Sequence, residues 1–292
     1  TTTTASLLVW NQMNFGQDLL FGQRGAPLYY WSAAIGLTPS TVTISAASPG
    51  VVSGTIAGSL IEGQSVIFST TGALPSPLLP GVTYYVKSLS GSTCNLAATA
   101  GGAAINTTGG SGTQSLLPNG VPLTGLNGIS AGAPLLQNFF LISDASRFVI
   151  VFGTNPATST TFDPLQIRWS DQESMVSWYP SATNQAGGLR LSHGSKIVTA
   201  IQSRQEILVF TDQSVHNMQY LGPPAIWGTQ LLADNSSIIG PYAAAVASNV
   251  VYWMGADKFY YYDGRVNTLN CDLREYIYSN INQSQAEQCF AG

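Results

Sequence analysis

Two histidines, His193 and His216, are the side chains of this chain whose ordinary pKa suits proton transfer near neutrality. A general base needs an orienting partner, and a metal ligand needs others at chelating spacing. Neither histidine has a second ligand two or four positions away, and each lies in or beside a strand-like run. Both are therefore expected to be hydrogen-bonded edge or surface residues. Gly187-Gly188-Leu189-Arg190 and Gly109-Gly110 supply glycines without the following helix and lysine that a phosphate cradle requires. They read as flexible turn glycines. Cys94, Cys271 and Cys289 are too few and too irregularly spaced for a disulfide framework or a zinc site. Free thiols are expected, with Cys271–Cys289 as the alternative pairing. Asn106-Thr107-Thr108, Asn235-Ser236-Ser237 and Asn282-Gln283-Ser284 fit the glycosylation pattern by chance, as an Asn/Ser/Thr-rich chain will. The sequence thus assigns no catalytic, cofactor-binding or metal residue, names no ligand-binding residue, and predicts a protein that is not an enzyme and takes no cofactor.

Carboxylates and aromatics need a separate test. Trp169-Ser170-Asp171 followed by Trp178 has a superficial likeness to the aspartate-box turn of sialidase blades. The Asp171–Trp178 spacing is two residues too long and the intervening glycine is missing, so a structural turn is the better reading. Tyr252-Trp253 with Tyr260-Tyr261-Tyr262 could stack carbohydrate. Side chains alternate across a strand, however, and large flat ones fill the layers between packed sheets, so these are expected in the core.

The elements that must position such residues are written four times over. An apolar or aromatic run passes through a polar turn into a second aromatic strand. The copies are Leu19-Leu20-Phe21 with Leu28-Tyr29-Tyr30-Trp31, and Val149-Ile150-Val151-Phe152 with Leu165-Gln166-Ile167-Arg168-Trp169. Ile207-Leu208-Val209-Phe210 with Val215 through Tyr220 is the third, and Val250-Val251-Tyr252-Trp253 with Phe259-Tyr260-Tyr261-Tyr262 the fourth. From Ile207 to Val250 is 43 residues, within the period of four-stranded propeller blades. Strands are also expected near 139–152, 189–191, 196–202 and 243–247. Gly222-Pro223-Pro224 and Ile238-Ile239-Gly240-Pro241 should break the sheet, because proline cannot donate to the ladder. Ser170 to Asn184 reads as a loop packed by Trp178 and Tyr179, and Asp263-Gly264 as a tight turn. Asp272 to Asn280 is the one helical stretch, with Asp272 as its expected N-cap.

Residues 38–117 follow another grammar. They are rich in Gly, Ser, Thr and Ala and hold two charged residues, Glu62 and Lys87. Short alternating runs at Thr41–Ile44, Ser65–Ser69, Thr83–Val86 and Thr93–Leu96 predict small antiparallel strands, with a proline-broken loop at Pro75, Pro77 and Pro80. Val66, Ile67, Phe68, Tyr84, Tyr85 and Val86 can build a core, which argues against a disordered linker. The expected organisation is all-β: residues 1–37 as a first propeller segment, 38–117 as an inserted β-sandwich or barrel-like domain, and 118–292 as the propeller body continued. Residue 1 is Thr, and Cys289-Phe290-Ala291-Gly292 resembles the start of another strand. The propeller is therefore expected to be incomplete in this chain, as a portion of a longer polypeptide.

Composition narrows the partners. Of 292 residues 45% are apolar and 8% charged, against roughly a quarter charged in ordinary domains. A surface so poor in charge suits extensive packing against copies or partners, or else is one of Ser, Thr, Asn and Gln. Net charge is −4, from 10 basic and 14 acidic side chains, with no basic run. Tight binding of a nucleic acid backbone needs clustered cations, so a sequence-reading DNA binder is excluded. No stretch of about 18 apolar residues is present to span a membrane, and no signal peptide is expected.

Several of these segments together resemble the tail nozzle proteins of short-tailed bacteriophages, also called tail hub or DNA-stabilisation proteins. The likeness runs through Arg168-Trp169-Ser170-Asp171-Gln172-Glu173, Trp178, Pro180–Asn184, Ala186–Leu191 and Glu206–Asp212. It continues through Tyr220–Pro224, Ile239-Gly240-Pro241, Val251–Met254 and Tyr262-Asp263-Gly264, and residues 10–31 resemble the family's opening hairpin. The insertion, with Gly81–Val86, Leu96–Thr99 and Gly101–Ile105, is similar to β modules that decorate phage structural proteins. The resemblance implies a β-propeller virion protein of the phage tail that self-associates into a ring, a hexamer, below the portal and its adaptor protein. Tail fibre or tail needle proteins would be further partners. Double-stranded DNA would pass through the ring without sequence recognition, retained before infection and released during it. A mildly acidic lumen would limit adhesion of DNA; a channel lined by Arg168, Arg190 and Arg204 would contradict that. The competing reading is a glycan-binding or depolymerising propeller used in host adsorption, which predicts paired carboxylates about 5–10 Å apart in a pocket.

Overall fold

A computed structural model describes residues 9–33, 39–55, 57, 60, 62–125, 132–144, 146–204 and 206–292. The expected boundary at 37/38 falls outside the described residues. The fold is all-β. Strands β1 (Trp10–Phe15), β2 (Asp18–Gln23) and β3 (Leu28–Trp31) form a meander, and six further strands intervene before β10 (Val121–Pro122) completes this first sheet beside β3. Those six are β4 (Ser40–Ile44), β5 (Val52–Ser53), β6 (Ser65–Thr70), β7 (Thr83–Ser90), β8 (Thr93–Ala97) and β9 (Gln114–Pro118). The chain divides into two compact units, Gln12–Phe21 with Leu28–Ile129, and Thr1–Asn11 with Gly22–Pro27 and Ser130–Gly292.

Within the unit that carries the insertion, β4 to β9 close an antiparallel barrel in the order β4-β5-β8-β7-β6-β9. Alternation explains its core. Val66 and Phe68 of β6 and Tyr84 and Val86 of β7 point inward and are buried, whereas Ile67 and Tyr85, one step out of phase, are only half-buried. The expected core list was therefore right for four of its six residues. A closed barrel removes edge strands, which suits a domain with so few charges to guard an edge. Short β5 and polar-flanked β9 carry no clear alternating signal, yet both are needed for closure. Gly50 lies so close to Thr107 that an added Cβ would fall 2.1 Å from its hydroxyl, so this approach is available to glycine alone.

The other unit contains three four-stranded antiparallel meanders. The second sheet is β11 (Phe139–Ile142), β12 (Val149–Thr154), β13 (Asp163–Trp169) and β14 (Gly187–Arg190). The third is β15 (Ile197–Gln202), β16 (Ile207–Thr211), β17 (Ser214–Gly222) and β18 (Ile226–Asp234). The fourth is β19 (Ala244–Ala247), β20 (Val250–Met254), β21 (Phe259–Tyr262) and β22 (Val266–Leu269). The repeat read from the sequence is the pairing of the second and third strands in each sheet: β2/β3, β12/β13, β16/β17 and β20/β21.

Sheet-on-sheet packing, the propeller-like arrangement, rests on aromatics. Phe210 of the third sheet meets Trp253 of the fourth edge-on at 5.2 Å between ring centres, and Trp253 stacks on Tyr260 at 5.4 Å. Phe148, before β12, packs edge-on against Trp227 of β18 at 5.7 Å. Burial follows from this stacking. Every residue of β12 and of β16 is buried, because both faces of those strands are covered. In β20 burial alternates, because only one face is.

Two local expectations change. Pro223-Pro224 does not end the sheet; it occupies the turn of a long hairpin, and β18 follows at once. The prolines sit outside the ladder, where their missing N–H groups cost nothing. The helix, α1, is Arg274–Asn280, and its cap position is Leu273 with no side-chain cap bond, so Asp272 lies too early to serve. Phe290 makes one parallel bridge to Tyr242.

Candidate functional site

The glycines assigned to a turn lie instead in strand β14, opposite Trp169 and Arg168. A Cβ on Gly187 would come 2.7 Å from the Trp169 ring, and one on Gly188 2.8 Å from the Ile167 carbonyl oxygen. Their role is to let two large side chains of β13 lie across the neighbouring strand. Arg168 is one of these, and it is 1% exposed. Its Nη2 donates to the Trp178 carbonyl at 3.0 Å and its Nη1 reaches the Asn155 carbonyl at 3.4 Å, while Nε has no acceptor. The guanidinium carbon lies 5.9 Å from the centre of the Trp178 ring, which is itself fully buried. Burial pushes the Arg168 pKa down to about 10.

This knot fixes the loop from Ser170 to Ala186. Trp178 Nε1 donates to the Met175 carbonyl at 2.7 Å, and the Asp171 carboxylate accepts from the backbone of Gln172 and Gln185. Asp171 is thus a turn former, as its sequence context indicated. Trp178 packs inside, whereas Tyr179 stays exposed. Nothing in the sequence marked Arg168 as buried; glycines paired with it across a strand were the available signal.

The two histidines, 23 positions apart, are brought together. Their rings lie 6.2 Å apart, His193 in the loop before β15 and His216 on β17. His216 is buried and its Nε2 meets Ser214 Oγ at 3.1 Å; Ser214 Oγ in turn meets Thr211 Oγ1 at 2.7 Å. His193 is exposed and its Nδ1 meets Ser192 Oγ at 2.8 Å. Burial first, and the neighbouring His193 second, lower the His216 pKa against a raising hydrogen bond that the ring donates to the His193 backbone carbonyl. Ser214 and His216 form a serine–imidazole pair, but Ser214 is sealed from solvent and its hydroxyl is held by Thr211, so no substrate carbonyl can reach it. The expectation of an edge or surface histidine fits His193 and fails for His216, which the sheet encloses.

Other charged groups also serve the frame. Glu206 accepts from Asn217 at 3.0 Å and Gln219 at 3.1 Å, and burial with Glu206 beside it pushes Tyr262 up to about 12. Burial raises Asp212, but bonds from Ser195 and Lys196 outweigh it and leave the carboxyl below its ordinary value. Arg190 pairs with Asp163 at 2.6 Å. Arg168 cannot line a channel, being sealed inside; Arg204 is exposed. The tyrosine cluster divides by strand phase. Trp253, Tyr260 and Tyr262 join the core, while Tyr252, 38% exposed, pairs with Tyr261 at 6.2 Å on the opposite face. Gly109 and Gly110 both take left-handed conformations in the barrel loop, as turn glycines do. Cys94, Cys271 and Cys289 are free. Among the described residues no group of three or more His, Cys, Asp or Glu is placed to hold a metal, and no helix is long and apolar enough to cross a membrane.

The class these features define is an all-β protein whose body is built of stacked four-stranded meanders and whose first meander carries a closed barrel. No family model and no curated protein matches the chain. Among solved structures it is similar to one described as phage phi92 endosialidase, at 14% identity and TM-score 0.32, over 88% of this chain and 45% of that one. It is also similar to a chain of a cryo-EM structure of RAG in complex with one melted RSS and one unmelted RSS, at 11% identity and TM-score 0.35, over 92% and 84%. The chain therefore spans less than half of the endosialidase chain. Both scores are too low for either likeness to bear on function.

Proposed function

We propose that this chain is a structural virion protein of a short-tailed phage, part of a ring-shaped tail nozzle or hub through which packaged DNA is retained and then released. The observation that carries the reading is where the nozzle-like segments fall. They are the residues on which the three-sheet body is built: buried Arg168 and Trp178, the close-packed Gly187-Gly188, Phe210 of the third sheet and Trp253 of the fourth. A resemblance concentrated in frame residues supports a shared architecture whose work is geometric. The low charge supports a second element of the proposal, burial of surface between copies in a ring. The ring would be hexameric and would contact the portal adaptor and the tail fibre or needle proteins. DNA would traverse it held by no base contacts, the few exposed cations offering little grip on phosphates.

Electron cryomicroscopy and mass measurement of the purified protein and of virions test this. Rings of uniform copy number, located at the distal tail, are expected. A protein that stays monomeric at all concentrations and is absent from virions would overturn it.

A further inference from the structure

An open cleft of about 520 Å³ lies where α1 meets the turn between β20 and β21. It is shallow and open to solvent, so it would cover one face of a ligand rather than enclose it, and its wall is about as polar as apolar. Asp257 comes from the turn, Arg274, Glu275, Tyr278 and Ser279 from the helix, and Gln283 from the segment after it. The Tyr278 hydroxyl is already spent: it donates toward the carbonyls of Gly255 at 3.0 Å and Lys258 at 2.8 Å. Its ring, braced by Phe259 at 5.5 Å, is what Tyr278 can offer a ligand. The helix is thereby pinned to the sheet, so the cleft is held by tertiary bonds and not by a loose end.

The charges select among ligands. Asp257 and Glu275 both line the cleft, and Asp257 is 64% exposed at its side chain, with Lys258 3.8 Å away. Two carboxylates repel phosphates and acidic sugars. Arg274, with Lys258 beside Asp257, disfavours a simple cation. A neutral ligand remains, one that donates hydroxyls to carboxylates, accepts from guanidinium and amide, and lays an apolar face on an aromatic ring. Those are the properties of a pyranose.

We infer that this cleft is a binding site for a neutral saccharide, with Asp257 and Glu275 accepting its hydroxyls, Arg274 and Gln283 donating, and Tyr278 as the stacking surface. The site is independent of the nozzle reading, since a ring subunit and a monomer would carry it alike.

The test uses the whole chain and ligand-observed NMR with glucose, galactose, mannose and N-acetylglucosamine and their disaccharides. Glucuronic acid, inorganic phosphate and lysine methyl ester serve as charged comparators. At least one neutral saccharide should bind with a Kd in the range of about 0.1–10 mM. The Asp257→Asn/Glu275→Gln double variant should weaken it about tenfold or more, while the thermal midpoint changes little, since both side chains are exposed and the amide oxygen introduced at 257 can still accept from the Tyr260 hydroxyl. Absence of neutral-saccharide binding at about 10 mM, retention of affinity by the double variant, or preference for a charged comparator would each overturn the inference. Ring assembly is measured separately, so a failure of one reading is not a failure of the other.

Discussion

Arg168 offers the sharpest perturbation, because its opposing terms nearly cancel. Among the described residues it has no carboxylate partner, and burial is the cause that lowers its pKa from 12.5 to about 10. A guanidinium stays charged at any working pH, so that depression measures what burial costs the cation, about 3 kcal/mol. Against it stand one charge-assisted bond at 3.0 Å, about 1.5–3 kcal/mol, a long bond at 3.4 Å that contributes little, and a contact over Trp178 of about 1 kcal/mol. The sum is near zero. Arg168→Met keeps most of the volume and removes the buried charge together with its bonds to the Trp178 and Asn155 carbonyls. It should change stability by no more than about 1 kcal/mol, as when other buried ions give way to apolar isosteres. Arg168→Ala removes the same charge but opens a void against Trp178 and should cost about 3 kcal/mol or more. Urea denaturation followed by tryptophan fluorescence measures both. A loss above about 3 kcal/mol in Arg168→Met would refute the account, since it would mean the cation is compensated by an anion.

The remaining predictions test the frame and its pH response. Gly187→Ala and Gly188→Ala should each destabilise by about 1–3 kcal/mol, because their Cβ atoms meet an indole and a carbonyl that cannot retreat; thermal melts of the two variants check this. Trp253→Ala, removing the ring shared by Phe210 and Tyr260, should cost about 3–5 kcal/mol by chemical denaturation. His216 has a folded pKa below its unfolded value, so the native state disfavours its protonation. Stability from this group is full above the unfolded pKa of about 6.5 and is lost as pH falls from there toward the folded pKa. The urea midpoint should therefore drop between pH 7.5 and 5 by more in the wild type than in His216→Gln; equal drops would show that other groups govern the acid response.

What the sequence made legible follows from how many faces of a strand are covered. β12 and β16, buried at every position, read as continuous apolar runs, and β20 and β21 as aromatic alternation. Their outer neighbours were harder. β18 mixes Thr229, Gln230 and Asp234 with its apolar residues, β22 contains Asn267 and Thr268, and neither was expected as a strand. An outer strand has fewer apolar neighbours to satisfy, so its sequence is less constrained. Two-residue β5 and β10 are too short for any periodicity and exist because a barrel and a sheet need closing. The candidate sites are illegible in the sequence for a different reason. The His193–His216 contact and the cleft beside α1 join residues that only tertiary structure makes neighbours.

The same rule bears on assembly. In β12 and β16 each face has a partner, but in the fourth sheet Tyr252 and Leu269 remain exposed on the face opposite the sealed Val251, Trp253 and Tyr262. The exposed set carries no charge, and Tyr252 and Tyr261 already pair across strands as inter-sheet aromatics do. A solvent-facing sheet normally alternates apolar with charged or polar residues. Here Tyr252 and Tyr261 stand where lysine or glutamate would serve solubility, so the fourth sheet is patterned nearer to an interior sheet than to a terminal one. For the ring proposal this means that apolar surface for contact between subunits is already present on the body and need not come from the barrel. Deletion of residues 38–117 should therefore leave self-association intact if the body forms the ring, and sedimentation of that variant as a monomer would transfer the role to the barrel.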